Sequence, residues 1–390
     1  MKRIEIIDSL RGFTLLLILL YHSYYNFGAI YSGENTTLAS VSFDPIVTGF
    51  IFHFVAERAF GIFSILFGLS FYIQFKRGIE KNENFSALFI RRLIVLIIIG
   101  YIHSLAYRGD ILTKYAVLGF LLLPLNKLNN TSLAIISFLL LIQIPDIYRI
   151  VQASGDQSAY LTNGHESAWS RIISVSRDGT LPEVLKTNMW LSNREVWIAN
   201  IYSGRINFIL GFFIAGLIMG RKLLFKNPEI KQLNIIIALI AGSIFYIALW
   251  FLRSNLSPDL LESTYSNELT YNLLDKYMSI CMILVILTAF VLIYRLSFFK
   301  KILNRLIPYG RMGLTSYITQ AFIGVPLFYG FGLALHNIST PLFSMLIGTA
   351  IFSLQIVFSN YWFKHHLYGP AEWFWRYLTN YNLKKSKSRA

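Results

Sequence analysis

Long apolar segments recur along the whole chain, and short polar or basic stretches separate them. Windows of about 17–22 mostly apolar residues can cross the roughly 30 Å of bilayer hydrocarbon as α-helices. The pattern therefore predicts an all-α fold, a polytopic transmembrane helical bundle with about ten spans. We place these spans at residues 10–29, 58–75, 91–107, 111–126, 131–145, 206–220, 233–252, 277–294, 312–330 and 341–363.

The composition agrees with a membrane protein. The chain is 55% hydrophobic and 14% charged, whereas soluble domains carry about 25% charged residues. The first apolar run follows Lys2 and Arg3, as the core of a signal peptide would. However, Asp8 and Arg11 interrupt its start, the run is too long, and no small-residue cleavage site follows. We therefore interpret the first run as a membrane span.

Basic residues concentrate in alternate loops. Most of the 35 Lys and Arg residues fall at the two termini and in the loops at 74–92, 126–131, 220–232 and 295–312. Because loops rich in Lys and Arg stay in the cytoplasm, we expect both termini to be cytoplasmic, in a multi-pass protein of the bacterial cytoplasmic (inner) membrane. The net charge of +15 then reflects orientation and contact with anionic membrane lipids, and we expect no nucleic-acid partner.

A long polar segment divides the predicted spans into two sets of five. We expect an N-terminal membrane half at 1–145, an extracytoplasmic insert at 146–205, a C-terminal membrane half at 206–376 and a basic cytoplasmic tail at 377–390. The part of the insert at 183–201 has the composition of an amphipathic helix at the membrane surface. The tail is expected to be disordered and to touch the inner leaflet.

Arg11 and His22 are the most informative polar residues, because they lie together in the first apolar run. Eleven residue steps turn a helix by about 1100°, so the two side chains lie only about 20° apart around the axis and about 16 Å apart along it. Ionisable groups inside a membrane are costly and mark functional sites. We therefore expect both side chains to face one hydrated interior, with His22 as a general base.

Simpler interpretations remain open for the same residues. Asp8 and Arg11 are i,i+3 neighbours that can pair and anchor the helix at the interface. His22 can also be a packed histidine that makes only structural hydrogen bonds. The sequence does not choose between these alternatives.

Other polar residues at helical depth are candidates for substrate binding. His53 and Glu57 form an i,i+4 pair before the second span, and His103 lies inside the third span. Arg205 stands at the start of the sixth span, where it can hold an anionic group or extend to the interface. Asp110 is expected to be a structural corner that caps the next helix.

Soluble-enzyme motifs are absent from the sequence. Cys281 is the single cysteine, so neither an intrachain disulfide nor a cysteine-based metal site is expected, and we predict no metal. There is no nucleotide-binding glycine motif and no His-Glu-x-x-His sequence. The Gly-x-x-x-Gly pair at Gly216 and Gly220 is explained by close helix packing.

Several motifs resemble those of a known group of membrane proteins. They are the opening Arg3-Ile4-x-x-x-Asp8-x-Leu10-Arg11-Gly12 with His22 beyond it, Phe60-Gly61-Ile62-Phe63-Ser64-Ile65-Leu66-Phe67-Gly68, Gly109-Asp110-Ile111-Leu112-x-x-Tyr115-Ala116, Gly310-Arg311-Met312-Gly313-Leu314-Thr315-Ser316-Tyr317, and Gly369-Pro370-x-Glu372-Trp373-x-Trp375-Arg376. The opening resembles the first helix of the transmembrane acyltransferase superfamily, which includes acyltransferase-3 and heparan-α-glucosaminide N-acetyltransferase-like proteins. The whole chain is more similar to the YeiB/YrkO family of bacterial membrane proteins.

The resemblance implies an acyl-transfer reaction. Carried over by position, Arg11 would contact a phosphate or the acyl carbonyl of an acyl-CoA donor, and His22 would act as the base. His53, Glu57 or His103 would assist in passing the acyl group to an acceptor in the cell envelope. The chain has no second Arg-x-x-Arg motif of the acyltransferase-3 type at the corresponding place.

Two other functions fit the same residues. A small-solute transporter or exporter would use polar groups from both halves to line a path, with His22 and Glu57 as proton sites. A non-catalytic membrane scaffold would need only the small-residue helix faces, through which it could form a homodimer. The leading hypothesis is the acyltransferase, and its acceptor is not visible in the sequence.

Overall fold

The computed structural model describes residues 4–29, 43–82, 84–155, 163–222, 232–257 and 264–387. Within these ranges the chain is helical and contains no strand. The prediction of an all-α fold is therefore confirmed.

The described residues of the N-terminal part form seven α-helices. They are α1 (Glu5–Tyr21), α2 (Asp44–Phe50), α3 (Ala56–Glu80), α4 (Phe85–Ala106), α5 (Leu112–Gly119), α6 (Leu122–Leu125) and α7 (Asn130–Leu141). Two π-helical segments, His22–Ala29 and Ile51–Val55, continue α1 and join α2 to α3. Single π turns are uncommon and often lie at functional sites, and the first of these begins at His22.

The remaining helices build the insert and the C-terminal part. They are α8 (Ile144–Gly155), α9 (Asn163–Asp178), α10 (Leu181–Thr187), α11 (Asn193–Tyr202), α12 (Arg205–Arg221), α13 (Gln232–Asn255), α14 (Thr264–Arg295), α15 (Ser297–Leu303), α16 (Ile307–Arg311), α17 (Gly313–Phe328), α18 (Pro341–Trp362) and α19 (Pro370–Lys387). Short π or 3₁₀ segments lie at Asn188–Ser192, Asn304–Leu306 and Leu335–Ile338.

The described helices are those of a multi-pass membrane protein. Seven helical stretches are long and apolar enough to cross a bilayer, namely Glu5–Tyr25, Asp44–Glu80, Phe85–Ala106, Asn130–Ala153, Gln232–Asn255, Tyr265–Arg295 and Pro341–Trp362. The pair Leu181–Tyr202 and Arg205–Arg221, bent by 69°, could supply an eighth. The count of ten spans and the cytoplasmic position of both termini stay predictions.

Two of the predicted spans differ from the structure. The segment 111–126 forms the two short helices α5 and α6, because Pro124 cannot donate a backbone hydrogen bond and crowds the preceding turn. The segment 312–330 contains α17, which has 16 residues and is shorter than the roughly 20 residues that a straight span needs. Both α5 and α17 pack inside the protein, where they contribute to the site.

The predicted insert and tail are largely helical. Within 146–205, α10 and α11 confirm the helix expected at 183–201, although a π turn separates them. The insert contacts the end of α4, where the Asn188 side chain donates to the carbonyl of Leu105 at 2.9 Å. The tail, which we expected to be disordered, continues α19 to Lys387, and residues 388–390 lie outside the described part.

Glycines let α3 and α12 approach each other closely. A Cβ at Gly68 would lie 1.9 Å from the carbonyl oxygen of Phe213, and one at Gly216 would lie 2.0 Å from that of Ile65. Side chains at these positions would force the helices apart. The packing interpretation of the Gly216–Gly220 motif is therefore confirmed, because a Cβ at Gly220 would also meet the Tyr72 side chain at 2.9 Å.

Candidate functional site

Arg11 faces a large cavity beside α1. Its Nη1 donates to Asp8 Oδ1 at 3.0 Å, and its Nη2 donates to Ser70 Oγ on α3 at 2.9 Å. The Arg11 side chain is 23% exposed. The predicted Asp8–Arg11 pair is thus present, and Ser70 fixes the guanidinium in the wall of the cavity.

The cavity has a volume of about 730 Å³, within the range of roughly 300–1,000 Å³ that small-molecule sites occupy. It follows α3 from Lys81 to Phe63, a length of about 27 Å at 1.5 Å per residue. The cavity is therefore an elongated channel that suits an extended ligand.

One end of the cavity is strongly basic. We call this end the basic rim, and it consists of Arg77, Lys81, Arg92, Arg311 and Arg376. Apart from these cations and Arg11, the charged lining residues are Asp8, which pairs with Arg11, and Glu372. The cavity thus has a surplus of positive charge that favours an anionic ligand.

Helix α19 forms one wall of the basic rim. The Trp375 indole N–H donates to the carbonyl of Arg92 at 3.0 Å, and the Arg376 guanidinium lies 4.3 Å from the centre of the Tyr368 ring. Glu372 caps α17, because it accepts hydrogen bonds from the backbone N–H groups of Leu314 and Thr315. Burial raises the pKa of the Glu372 carboxyl, although these hydrogen bonds oppose the shift. These contacts hold α19 against the membrane helices.

The other end of the cavity closes on two buried tyrosines, Tyr115 and Tyr317. The Tyr115 hydroxyl donates to the carbonyl of Phe60 at 2.9 Å. The Tyr317 hydroxyl accepts from the backbone N–H of Ile111 at 3.1 Å and donates to the carbonyl of Gly109 at 3.3 Å. These hydrogen bonds fix the Tyr317 ring as the floor of the cavity.

His22 lies behind this floor. Its side chain is buried, and its ring centre lies 5.8 Å from that of Tyr317 and 5.1 Å from that of Tyr107. By distance and angle, neither ring nitrogen makes a hydrogen bond to another described residue, although the Gln320 side chain lies close enough to interact with the ring. We expected Arg11 and His22 to face one open interior, but Arg11 lines the cavity and His22 does not, because the Tyr317 ring stands between them.

His103, on α4, lies beside the same two aromatic rings, those of Tyr317 and Tyr107. Its ring centre lies 5.2 Å from that of Tyr317 and 5.5 Å from that of Tyr107. Its Nδ1 donates to Asp110 Oδ1 at 2.9 Å, and both side chains are buried. The Nε2 of His103 has no partner among the described residues. Because Nδ1 carries the proton, Nε2 is available as an acceptor.

Asp110 is positioned by its own loop. Its Oδ2 accepts hydrogen bonds from the backbone N–H and the hydroxyl of Thr113, at 3.0 and 2.8 Å, and the Lys114 ammonium bonds its carbonyl oxygen. The expected cap of α5 is therefore present. However, the other carboxylate oxygen holds His103, so Asp110 is more than the structural corner that the sequence predicted.

Unpartnered polar atoms converge in this region. We define the histidine cluster as His22, His103, Tyr107, Asp110, Tyr317 and Gln320. Within the described part of the chain, hydrogen-bond partners are lacking for both nitrogens of His22, His103 Nε2, the Tyr107 hydroxyl and Gln320 Oε1. Buried polar atoms without partners are rare in folded proteins. The cluster therefore has the hydrogen-bonding capacity to receive a polar ligand.

Glu57 and Arg205 form an ion pair close to the cluster. The two side chains are 35% and 31% exposed, and Arg205 Nε lies 3.4 Å from Glu57 Oε2. The Arg205 guanidinium lies 5.3 Å from the centre of the Phe60 ring, which is 6.4 Å from that of His22. The Phe60 ring thus lies near both the Arg205 guanidinium and His22.

His53 does not join this group. Its Nδ1 lies 2.7 Å from the Tyr246 hydroxyl on α13. The structure therefore places His53 in a separate polar cluster between α3 and α13. Of the residues singled out from the sequence, the structure brings His103, Glu57 and Arg205 towards His22, and it brings Asp8 and Arg11 to the cavity.

Sequence reasoning did not single out Tyr107, and it gave Asp110, Tyr317 and Gln320 only structural roles. Tyr107, Tyr317 and Gln320 look like ordinary aromatic or interhelical residues in the sequence, and Asp110 looks like a helix cap. Two sequence features could have indicated these site residues. The Gly109-Asp110 and Ser316-Tyr317 motifs are polar interruptions of otherwise apolar segments.

Two family models match different parts of the chain. The model described as "Heparan-alpha-glucosaminide N-acetyltransferase, catalytic" matches residues 3–153. The model described as "Protein of unknown function (DUF418)" matches residues 219–382. The first match contains Arg11, His22, His103 and Asp110, so the N-terminal part of the site lies in the region that is similar to a catalytic domain.

Two similar proteins align with nearly the whole chain, and a third aligns with about a fifth of it. "Uncharacterized protein YxaH" of Bacillus subtilis (strain 168) is 27% identical over 97% of this chain and 94% of its own length. An "Uncharacterized 39.9 kDa protein in amylase 3'region" of Bacillus acidopullulyticus is 28% identical over 98% and 95%. "Uncharacterized protein YeiB" of Escherichia coli (strain K12) is 39% identical over 22% of this chain and 21% of its own length.

The chain is therefore YeiB-like, that is, similar to the uncharacterized proteins YxaH and YeiB and to the DUF418 family model. Its N-terminal match relates this YeiB-like protein to the heparan-alpha-glucosaminide N-acetyltransferase family. No solved structure matches it significantly. Both predicted resemblances, to YeiB proteins and to this acetyltransferase family, are therefore confirmed.

Proposed function

We propose that this YeiB-like protein is a transmembrane acyltransferase that moves an acyl group from a cytoplasmic thioester donor to an acceptor in the cell envelope. The observation that carries the proposal is the elongated cavity, which is basic at one end and closes at the other on Tyr317, a ring that contacts both His22 and His103. The match to an acetyltransferase catalytic domain supports the same reaction class.

The donor would be an acyl-CoA, with its phosphates at the basic rim. Guanidinium groups suit phosphate because they donate bidentate hydrogen bonds. The charge distribution of the loops predicts that the rim faces the cytoplasm, where acyl-CoA is present. The uncharged arm of the donor would then follow α3 past Arg11 towards Tyr317, and Arg11 would hold the last phosphate or the acyl carbonyl.

The acceptor would approach the histidine cluster from the opposite face of the membrane. There, the Glu57–Arg205 pair lies beside Phe60 and Tyr21, whose rings both neighbour His22. A carboxylate and a guanidinium together can bind a polar group that carries hydroxyl or amine functions. The acceptor nucleophile would enter among the unpartnered polar atoms of the cluster.

The transfer step uses the two histidines as a proton-handling pair. The acceptor oxygen or nitrogen attacks the thioester carbonyl carbon, and its proton passes to His22 as the general base. The carbon–sulfur bond breaks, and the CoA sulfur leaves and takes up the proton that was removed from the acceptor, to become a thiol. A buried cation is costly unless it is paired. The Asp110 carboxylate provides this pairing at His103, so the proton would move on from His22 to His103 and stay there until the sulfur takes it up.

Tyr317 would control access between donor and histidines. Its ring separates the cavity from His22, so the thioester can reach the histidine cluster only when the ring turns or shifts. The two hydrogen bonds of its hydroxyl, to Ile111 and Gly109, would set how easily this happens. Tyr317 therefore has the position of a gate between the two compartments.

The proposal is tested with the purified protein in lipid nanodiscs and acetyl-CoA labelled in the acetyl group. We expect time-dependent loss of the thioester, with the label recovered on water, on an added amino sugar or on extracted envelope lipid. Vesicles containing the protein and a pH-sensitive dye provide the comparison. Proton-coupled solute flux without any thioester turnover would contradict the acyltransferase and favour a transporter.

A further inference from the structure

A buried cation lies outside the site described above. The Arg58 side chain, on α3, is only 5% exposed. Its Nε is buried and has no hydrogen-bond partner among the described residues. An arginine stays charged at all physiological pH values. Since burial of an incompletely paired charge is unfavourable, an added anion beside Arg58 would stabilise the guanidinium.

The neighbouring carboxylates are already engaged by other guanidinium groups. Glu57 and Asp275 lie within electrostatic range of Arg58. Glu57 pairs with Arg205, while Asp275 pairs with Arg253 through Nε–Oδ1 and Nη2–Oδ2 distances of 2.6 and 3.1 Å. Among the described residues, the three cations Arg58, Arg205 and Arg253 thus share two carboxylates, and Arg58 is the cation for which no ion pair is recorded.

Additional hydrogen-bonding groups surround Arg58. Tyr246, on α13, lies within electrostatic range of the guanidinium, and its hydroxyl lies 2.7 Å from His53 Nδ1. Both side chains are half-buried. Together, the guanidinium, the phenol and the imidazole offer several N–H and O–H donors in one place, which is the chemistry that binds a phosphate group.

The location of Arg58 favours a lipid as the source of this phosphate. Arg58 precedes Arg77 of the basic rim by 19 residues on the same helix, or about 28 Å at 1.5 Å per residue, close to the roughly 30 Å thickness of bilayer hydrocarbon. It therefore lies near the membrane face opposite the rim. Large exposed apolar side chains lie close in sequence to Arg58 or to Tyr246, and acyl chains can pack against them. They are Phe54 before α3, and Phe245, Trp250 and Phe251 on α13.

We propose that Arg58, together with Tyr246 and His53, binds the phosphate of an anionic phospholipid at the membrane face opposite the basic rim. The lipid phosphate would supply the missing counter-charge, and its acyl chains would lie along the exposed apolar face of α13. The site does not depend on the acyltransferase proposal, because none of its three residues belongs to the cavity or the histidine cluster.

The test measures thermal unfolding of the purified, delipidated full-length protein in detergent, with phosphatidylglycerol, phosphatidylcholine or inorganic phosphate added separately. We expect phosphatidylglycerol to raise the melting temperature more than the other two additives. In Arg58→Gln the apparent affinity for phosphatidylglycerol should fall by at least about tenfold, the value of one charge-assisted hydrogen bond. Tyr246→Phe should weaken it less.

Two controls make the result decisive. Arg149→Gln removes an arginine that is paired with Asp146, so it should lower stability but keep the response to phosphatidylglycerol. Lipid-free Arg58→Gln should be at least as stable as wild type, because it removes an unmatched buried charge. An unchanged lipid response in Arg58→Gln would overturn the proposal. Equal stabilisation by inorganic phosphate would also overturn it, because the ligand would then be a soluble anion.

Discussion

Replacing either histidine of the histidine cluster is expected to lower the rate of acyl transfer by about 10²–10⁴-fold, the usual contribution of a general acid or base. His22→Ala removes the base that would deprotonate the acceptor. His103→Ala removes the imidazole on which Asp110 would stabilise the proton. Asp110→Asn should have a similar effect, because the amide cannot balance a charged imidazole. The measurement is single-turnover transfer from labelled acetyl-CoA at saturating donor.

The same variants must keep donor binding for this interpretation to hold. His22, His103 and Asp110 do not line the cavity, so the dissociation constant for acetyl-CoA should stay within about twofold of wild type, less than the roughly tenfold of one lost hydrogen bond. His365→Ala removes an exposed histidine beyond α18. It should change neither the rate of acyl transfer nor the dissociation constant for acetyl-CoA. Full transfer activity in His22→Ala and His103→Ala would show that the cluster is structural.

Neutralising the basic rim is expected to weaken donor binding strongly. The double variant Arg92→Gln/Arg376→Gln removes two cations from the cavity. Since a hydrogen bond to a charged group contributes about 1.5–3 kcal/mol, the dissociation constant for acetyl-CoA should rise by roughly 10–100-fold or more. Calorimetric titration at low and high salt should also show that the dissociation constant of the double variant depends less on salt than that of wild type.

The control for the rim variants removes charge without touching the cavity. Lys301 is exposed on α15 and does not line the cavity. The loop that contains it is predicted to be cytoplasmic, so Lys301→Gln tests the general effect of net charge on the same side of the membrane. Equal losses of affinity in Lys301→Gln and in the double variant would indicate a diffuse electrostatic effect rather than a phosphate site.

The hydrophobic pattern predicted the fold class well, because apolar segments of membrane length have few alternatives to helices. It failed where the backbone departs from regular helix. The break between Gly119 and Leu122, just before Pro124, divides one predicted span, and the π-helical segment that begins at His22 has no sequence signature. Short helices such as α5 and α17 pack against neighbouring helices and need not match the bilayer thickness, so their length does not follow from hydropathy.

The candidate site was only partly visible in the sequence. The spacing of Arg11 and His22 predicted that both lie on one helix. In the structure Arg11 lies on α1, and His22 is the first residue of the π-helical segment that continues α1. Helical spacing cannot show that Tyr317, nearly 300 residues away, inserts between them. The His103–Asp110 hydrogen bond depends on the loop after α4, and short-range patterns did not distinguish it from an ordinary helix cap.

The central claim is that one channel holds the thioester donor between the basic rim and Tyr317. It is tested most directly by a cryo-electron microscopy map of the protein in nanodiscs with a thioether analogue of acetyl-CoA that cannot react. The account predicts density for the nucleotide beside Arg92 and Arg376, with the acyl end against the Tyr317 ring. An analogue bound elsewhere, or an empty channel at a saturating concentration of analogue, would contradict it.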